Sequence, residues 1–585
     1  MEFYNFCNKI VWVFFSFFII TLLLPSSFAN EITQSDSISF RPQIVNFDEK
    51  IFLVWTEKSD TNAEIFFSTS VDGGVTFSKP INISNNSGSS AFPRLAVEGN
   101  NVYVTWYDYS PGQSDVMVAK SFDSGKTFTS SNISNNISAS YNPWISADSE
   151  YVYLVWNDGG KSQEIELGGQ TKIIDVLVGD SEIMFGISKD KGETFDIQNI
   201  SNLGGDSINA RMITDSNNIY LVWTDLHSNS EIYFSKSNNS LISFSNPINI
   251  SQSDSRSHNS GIKVYKENVF VIWTEDSDSG SDIYFSKSID KGNSFTPPHS
   301  LSGKLGTYET TRDTQMEISY PHLYIVYADQ QTSEVYLSHS PNMGDTFFEP
   351  VNLSLSTGNS LYPQIITDEN NVFVVWSDDS DGDKDIILRQ SSDFGYTFGS
   401  KINLSNDTAD SELFVLGPQI AKSDNFLDIV FENKTSSNSN LVLIHKPIES
   451  IPPTLSILDS VAQINLGQKE VHPGNETNVE IKFMDNNIEQ NVSQNYSLVI
   501  LDSKNEKIFQ SQPLDDHDGI SNHKVIFPQA GQYSLKLNHE GLNLPEDNEI
   551  IVVVVPEFGF GVIMILSMSV SMIIFTKRIR PRIFG

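Results

Sequence analysis

Cysteine is almost missing from this 585-residue chain: Cys7 is the only one, and it lies in an N-terminal hydrophobic stretch. A disulfide framework and a thiolate metal site are both excluded. Basic residues are scarce as well, with 37 Lys and Arg against 73 Asp and Glu, a net charge of −36. Nucleic acid needs a basic stripe for its phosphates, so it is excluded as a partner. Long hydrophobic runs occur only at the two ends, Ile10–Leu24 and Phe558–Phe575. An exported chain of this composition must be held together by packing, hydrogen bonds or bound ions.

What the chain does have is a rhythm. Trp55, Trp106, Trp156, Trp223, Trp273, Tyr327, Trp376 and Phe431 each end a run of the form V-x-W or its equivalent. Twelve residues before them stand Gln43, Arg94, Trp144, Arg211, Gly261, Gln315, Gln364 and Gln419, each followed by Ile, Leu or Met. Two residues after the aromatic comes an acid, except at Asn433. A unit of about 50 residues written eight times marks a radial or solenoidal repeat. Each unit reads as four short strands, such as Pro42–Val45, Ile51–Trp55, Glu64–Ser68 and Pro80–Ser84. Four-stranded antiparallel units set around an axis are propeller blades.

Between the third and fourth strands sits a turn motif. It reads Ser70-Val-Asp72-Gly-Gly74-Val-Thr-Phe77 and recurs around Asp123, Asp190, Asp290, Asn342 and Asp393, while Ser237–Phe244 has lost its Gly. Asp can accept its own turn's N–H groups and Gly supplies positive φ, so the motif is first a turn-forming device. It resembles the Asp-box, S-x-D-x-G-x-T-[WF], of sialidases and related bacterial-neuraminidase-repeat propellers over about residues 36–447. The resemblance implies the fold; in that family the boxes lie away from the active face.

The eighth unit, from Pro418, supplies only three strands. Ser37–Phe40 is the expected fourth, closing a ring and removing exposed edges. The expected fold is therefore all-β: a β-propeller of eight blades, with seven as the alternative. The third unit carries extra residues around Gly159–Ser181, a lip or lid over the opposite face, or else a tolerated insertion. After Ile451-Pro-Pro-Thr454, about 100 residues of β-like runs fit one immunoglobulin-like β-sandwich.

The ends speak to compartment. Residues 1–29 read as a signal peptide with a small-x-small site at Ser27-Phe28-Ala29, with an uncleaved N-terminal anchor as the alternative. Residues 452–555 form the expected β-sandwich stalk. In 556–585, Phe558–Phe575 is just long enough to span a bilayer, and Lys577, Arg578, Arg580 and Arg582 follow it on the cytoplasmic side. Pro556-Glu557-Phe558-Gly559 before this transmembrane helix resembles the PEFG-type C-terminal sorting signals of archaea. That implies transfer to a surface lipid by an archaeosortase; a plain membrane anchor is the alternative. Either way the expected location is the outer face of the cell membrane.

Candidate chemistry centres on the residues twelve before the aromatics. The sialidase resemblance asks for three arginines on inner strands, and Arg41, Arg94 and Arg211 can form such a carboxylate clamp. Arg94, Trp144 and Arg211 are the candidate binding residues. No catalytic Tyr–Glu pair is identifiable by spacing. Asp378, Asp381, Asp383 and Asp385 offer oxygens for Ca2+, although Asp is favoured in turns for its own sake; no other cofactor is implied. Asn82, Asn132, Asn136, Asn199, Asn249, Asn352, Asn403, Asn433, Asn475, Asn491 and Asn495 fit N-x-S/T, open to glycosylation in an exported chain, or else, where they read Asn-Ile-Ser, simply part of the repeat unit. The expected function is a membrane-tethered surface protein binding extracellular glycans or cell-envelope proteins. The alternatives are a glycoside hydrolase of exo-α-sialidase type and a purely structural envelope component.

Overall fold

A computed structural model describes residues 28–554 with several internal gaps, the longest at 303–313 and 406–416. Residues 1–27 of the segment read as a signal peptide, and the residues read as sorting motif, membrane span and basic tail, lie outside the described residues. Among the described residues the secondary structure is all-β, and no helix is long and apolar enough to cross a membrane. Contacts divide the chain into two compact bodies, one of Met1–Gly395 with Ser400–Ile451, the other of Tyr396–Gly399 with Pro452–Gly585.

The larger body is a succession of antiparallel sheets, mostly four-stranded, that follow the sequence repeats, with the first and eighth units joined in one eight-stranded sheet. The second unit pairs Ser90–Glu98, Asn101–Asp108, Asp115–Ser121 and Thr129–Asn132 in that order. Second strands read as continuous apolar runs because a neighbouring sheet covers each face. Phe52 and Val54 pack on Val102, Val104 and Trp106 of the next unit, while Leu53 and Trp55 pack on Val430, Leu441 and Leu443 of the eighth. The six rhythm tryptophans are at most 1% exposed. The acid two residues on has a local job: the indole N–H groups of Trp55, Trp106, Trp273 and Trp376 donate to Glu57, Asp108, Glu275 and Asp378 at 3.2–3.4 Å.

The first strand of each unit lies beside the first strand of the next, and that of the eighth, Gln419–Lys422, lies beside Ile38–Phe47 of the first. Completion of the eighth unit differs from expectation. Ser37–Phe40 does not supply its fourth strand. Residues 38–40 already pair with Lys58, Glu57 and Thr56 as the leading half of the first unit's own inner strand, and they meet the eighth unit through one parallel bridge, Ile38 to Ser439. The strand added to Ser439–Pro447 is Phe28–Glu31, antiparallel, with Phe28 opposite His445 and Glu31 opposite Val442. The small-x-small site at Ala29 therefore falls inside a paired strand.

The box turns are built alike. Ser70 Oγ donates to Asp72 Oδ1 (2.8 Å) and accepts from Gly74 N–H (2.8 Å), while Thr76 gives its N–H and hydroxyl to the two oxygens of Asp72. The same bonds recur at Asp123, Asp190 and Asp290. Hydrogen bonds from Thr127 and Ser121 hold the Asp123 carboxyl down to about 2. Asn342 keeps the pattern, its amide facing Thr346 Oγ1 at 3.0 Å. Asp393 lies outside the described residues.

These turns stitch neighbouring units together. The box phenylalanines Phe128, Phe244, Phe295 and Phe347 sit edge-on against Phe67, Phe185, Phe234 and Phe285, the third-strand rings of the preceding unit, at 4.8–5.2 Å. Lysines add a latch. Lys120, Lys236 and Lys287 reach the backbone carbonyls of Gly192, Lys291 and Met343 in the next unit's turn.

The smaller body has two sheets. One orders Thr454–Ile457, Ser460–Asn465, Glu476–Asp485 and Ile520–Ile526; the other orders Lys507–Gln510, Asn495–Asp502, Gly531–His539 and Ile550–Val554. They share a core that includes Val479, Ile481, Tyr496, Leu498, Phe527 and Leu535. The Tyr533 hydroxyl reaches back to the Gln529 carbonyl at 2.9 Å.

Candidate functional site

The inner strands enter through a repeated irregularity. Their register breaks between Phe40 and Gln43, Ala91 and Arg94, Tyr141 and Trp144, Ile208 and Arg211, His258 and Gly261, and Leu361 and Gln364. The first skipped residue always has positive φ: Arg41 (56°), Phe92 (57°), Asn142 (50°), Asn209 (57°), Asn259 (54°) and Tyr362 (59°), with Gly417 (72°) at the same place in the eighth unit. Bulges of this kind re-aim side chains next to binding sites, and for residues as bulky as Phe, Tyr and Arg the conformation stores strain. The sequence names these residues only indirectly, through the Pro that follows Arg41, Phe92, Asn142, Tyr362 and Gly417.

Two residues beyond the bulge comes the position twelve before each aromatic. Here side chains of five successive units, the eighth and the first to the fourth, touch one another in turn. Gln43 Nε2 meets Gln419 Oε1 at 3.4 Å, and Arg94 donates to Gln43 Oε1 at 3.0 Å. The Arg94 guanidinium lies 4.7 Å from the Trp144 ring centroid, and the Arg211 guanidinium lies 5.0 Å from the same ring. Arg41, one layer out on the bulge, stacks over Phe92 at 3.1 Å, and its backbone N–H donates to Glu432 at 2.9 Å. Asn142 donates to Asn209 Oδ1 at 3.1 Å in that outer layer.

The electrostatics are lopsided. Neither Arg94 nor Arg211 has a carboxylate partner among the described residues, and the ring from Gln43 to Gln419 contains no acid. Burial lowers Arg94's proton affinity most, and the nearby Arg211 and Arg41 lower it further; burial also lowers Arg211's. Guanidinium groups stay charged in proteins, so the site holds like charges that an anion would relieve.

The other candidates fall elsewhere. Asp378 is buried and already accepts from Ser360, Ser380 N–H and Trp376; burial alone would raise its pKa, and those bonds outweigh it. Asp385 is taken by Asn403 (2.8 Å) and Ser405 (2.7 Å), and Asp381 and Asp383 lie outside the described residues. Among the described residues no three His, Cys, Asp or Glu side chains are grouped to hold a metal.

The repeated Asn-x-Ser, replaced by Ser300-Leu-Ser302 in the fifth unit, has a structural use. Ser84, Ser134, Ser201, Ser251, Ser302, Ser354 and Ser405 each donate to the acid that opens the third strand, Glu64 through Asp385, and accept the next residue's N–H at 2.8–3.0 Å. The sequon amides Asn82, Asn132, Asn199, Asn249 and Asn352 accept N–H groups from their own turns. Sequence reasoning missed Asp158 as well. Its carboxyl, beside the third unit's insertion, is pushed up by burial, whereas its counterparts Asp108 and Asp378 are held down. The insertion is a hairpin of Lys161–Leu167 with Gln170–Val176.

No protein-family model and no curated protein matches the chain. Solved structures similar to it include a protein of unknown function from Dyadobacter fermentans, at 12% identity and TM-score 0.35, over 62% of this chain and 96% of that one. A polysaccharide lyase, Uly1, is similar at 10% identity and TM-score 0.37, over 60% and 89%. A Hadza microbial sialidase is similar at 13% identity and TM-score 0.32, over 68% and 77%. At this level the likeness transfers no residue and no chemistry.

Proposed function

We propose that this chain is an exported eight-bladed Asp-box propeller, carried on an immunoglobulin-like stalk and tethered at the outer face of the membrane by its C-terminal segment. It binds the anionic group of an extracellular glycan or envelope protein. One observation carries this reading: in a chain of net charge −36, Arg94 and Arg211 flank Trp144 at the axis without a carboxylate partner among the described residues. Guanidinium forks suit a carboxylate or sulfate bidentately. Eight units whose inner strands follow one another back to the first support the blade count.

A second reading, a glycosidase of sialidase type, has Asp158 in its favour, since a carboxyl with raised pKa suits a general acid. A panel of acidic sugars and sialosides, assayed for binding and turnover, separates the two. Saturable binding lost in Arg94→Gln, without turnover, supports the binder. Turnover lost in Asp158→Asn supports the hydrolase. Neither binding nor turnover would leave a structural component.

A further inference from the structure

The eight units of a repeat serve as controls for one another. At the bulge position the described residues are Arg41, Asn142, Asn209, Asn259, Tyr362, Gly417 and, in the second unit, Phe92. The residue after the rhythm aromatic is Tyr107 in the second unit, but Thr, Asn, Thr, Thr, Ala, Ser and Glu in the others. Three residues after the aromatic the second unit has Tyr109, where the others have Lys, Gly, Leu, Asp, Gln, Asp and Lys. The fold is built seven times without an aromatic triplet at these places, so closing the unit does not require one.

In the second unit the three rings form one strip. Phe92 and Tyr107 stack at 5.1 Å with 26° between their planes, and Tyr109 meets Tyr107 edge-on at 5.7 Å. All three are half-buried, with part of their surface open. The strip is held rigidly: Tyr107 pairs with Ala91 across the strands, and Tyr109 N–H donates to the Ser89 carbonyl at 3.0 Å. Its inner end touches the guanidinium cluster, since Arg41 lies over Phe92 and Arg94 follows two residues later on the same strand. Strained backbone at Phe92 places a large ring at the surface where three other units put Asn.

We infer that Phe92, Tyr107 and Tyr109 form a stacking subsite for the pyranose ring that carries, or is linked to, the anionic group held at Arg94 and Arg211. The apolar C–H face of a sugar packs on the negative face of an aromatic ring, while its hydroxyls stay in water. This inference rests on the anion-binding reading above and adds the class of ligand: an oligosaccharide with an acidic terminal unit, rather than a free anion. Rigid rings lose little entropy on binding, which suits a weak, preformed sugar platform.

The test uses residues that the repeat itself tolerates. In the full chain, Phe92→Asn copies the third, fourth and fifth units and Tyr107→Thr copies the first, fourth and fifth. Binding of free N-acetylneuraminic and glucuronic acids is compared by calorimetry with that of oligosaccharides ending in the same units. The expected result is an oligosaccharide affinity about tenfold lower in the double variant, with free-acid affinity changed less than about twofold. Equal loss for both ligands, or an oligosaccharide bound no more tightly than its free acid by the unaltered chain, would overturn the subsite. If neither ligand binds the unaltered chain, the anion-binding reading falls and the subsite with it. If Arg94→Gln weakens the acids while Phe92→Asn/Tyr107→Thr leaves every ligand untouched, only the subsite falls.

Discussion

The two ends of the larger body obey different rules. At the box end the same bonds are made again and again, at Asp72, Asp123, Asp190 and Asp290, and the turns at Asp123, Asp190 and Asp290 are stapled to the unit before them. At the axial mouth the backbone irregularity repeats but the side chains do not. Arg94, Trp144, Arg211 and Gly261 replace the Gln of the other four units. Repetition marks what every unit needs in order to close on its neighbour. Departure from repetition marks what the assembled molecule needs only once.

The sharpest way to break the box end is Gly125→Ala. Gly125 sits at φ 83°, and a Cβ there would lie 2.2 Å from the Phe67 ring of the preceding unit. The expected cost is about 3 kcal/mol, read as a lower denaturation midpoint. Loss of less than about 1 kcal/mol would show that the staple is dispensable.

One seam at this end departs from the lysine latch. Where Lys120, Lys236 and Lys287 stand in three units, the sixth has His339, 2.9 Å from His322 and stacked near Tyr324. Burial, then His322, pushes the His339 imidazole down from 6.5 to about 4. The unfolded chain therefore binds this proton first as the pH falls. The stability is complete above about pH 6.5 and is lost progressively towards pH 4, by about 3 kcal/mol. His339→Gln, copying Gln390 of the next unit, should flatten the melting temperature between pH 7.5 and 4.5. An unchanged slope would place the acid sensitivity elsewhere.

At the mouth the expected changes are in binding. Arg94→Gln should weaken an acidic sugar at least about tenfold, or about 1.4 kcal/mol, while stability holds or rises as like charges are relieved. The smallest effect is expected for Asp72→Asn. Asn342 already fills that place in the sixth unit with its bonds intact, so a stability change within about 1 kcal/mol is expected. A larger loss would mean that the charge itself, rather than the bond pattern, holds the turn.

The strands, the rhythm and the box turns were legible in the sequence because they repeat and because their signals are local. Phe28–Glu31 was not, since its place is set by a partner more than 400 residues away: Leu441 N–H donates to Thr33 Oγ1 beside that strand. Spacing alone picked out Gln419, Gln43, Arg94, Trp144 and Arg211, whose side chains meet in turn. The bulge layer was hidden, because nothing in the residue type of Phe92 or Tyr362 announces positive φ. The Asn-x-Ser tripeptides read both as open to glycosylation and as part of the repeat unit, and what spacing could not show is that Ser84 and its equivalents bridge an acid to a strand N–H. The second-unit aromatics stand out only once the units are aligned through their bulges.

The anion site at Arg94 and Arg211 is open to direct titration. Calorimetric titration of the full chain with N-acetylneuraminic acid, glucuronic acid and inorganic sulfate, repeated with Arg94→Gln and Arg211→Gln, tests it most directly. The expected result is saturable binding of at least one of them, weakened about tenfold or more by either substitution with the melting temperature preserved. Binding indifferent to both substitutions, or no binding to the unaltered chain, would contradict it.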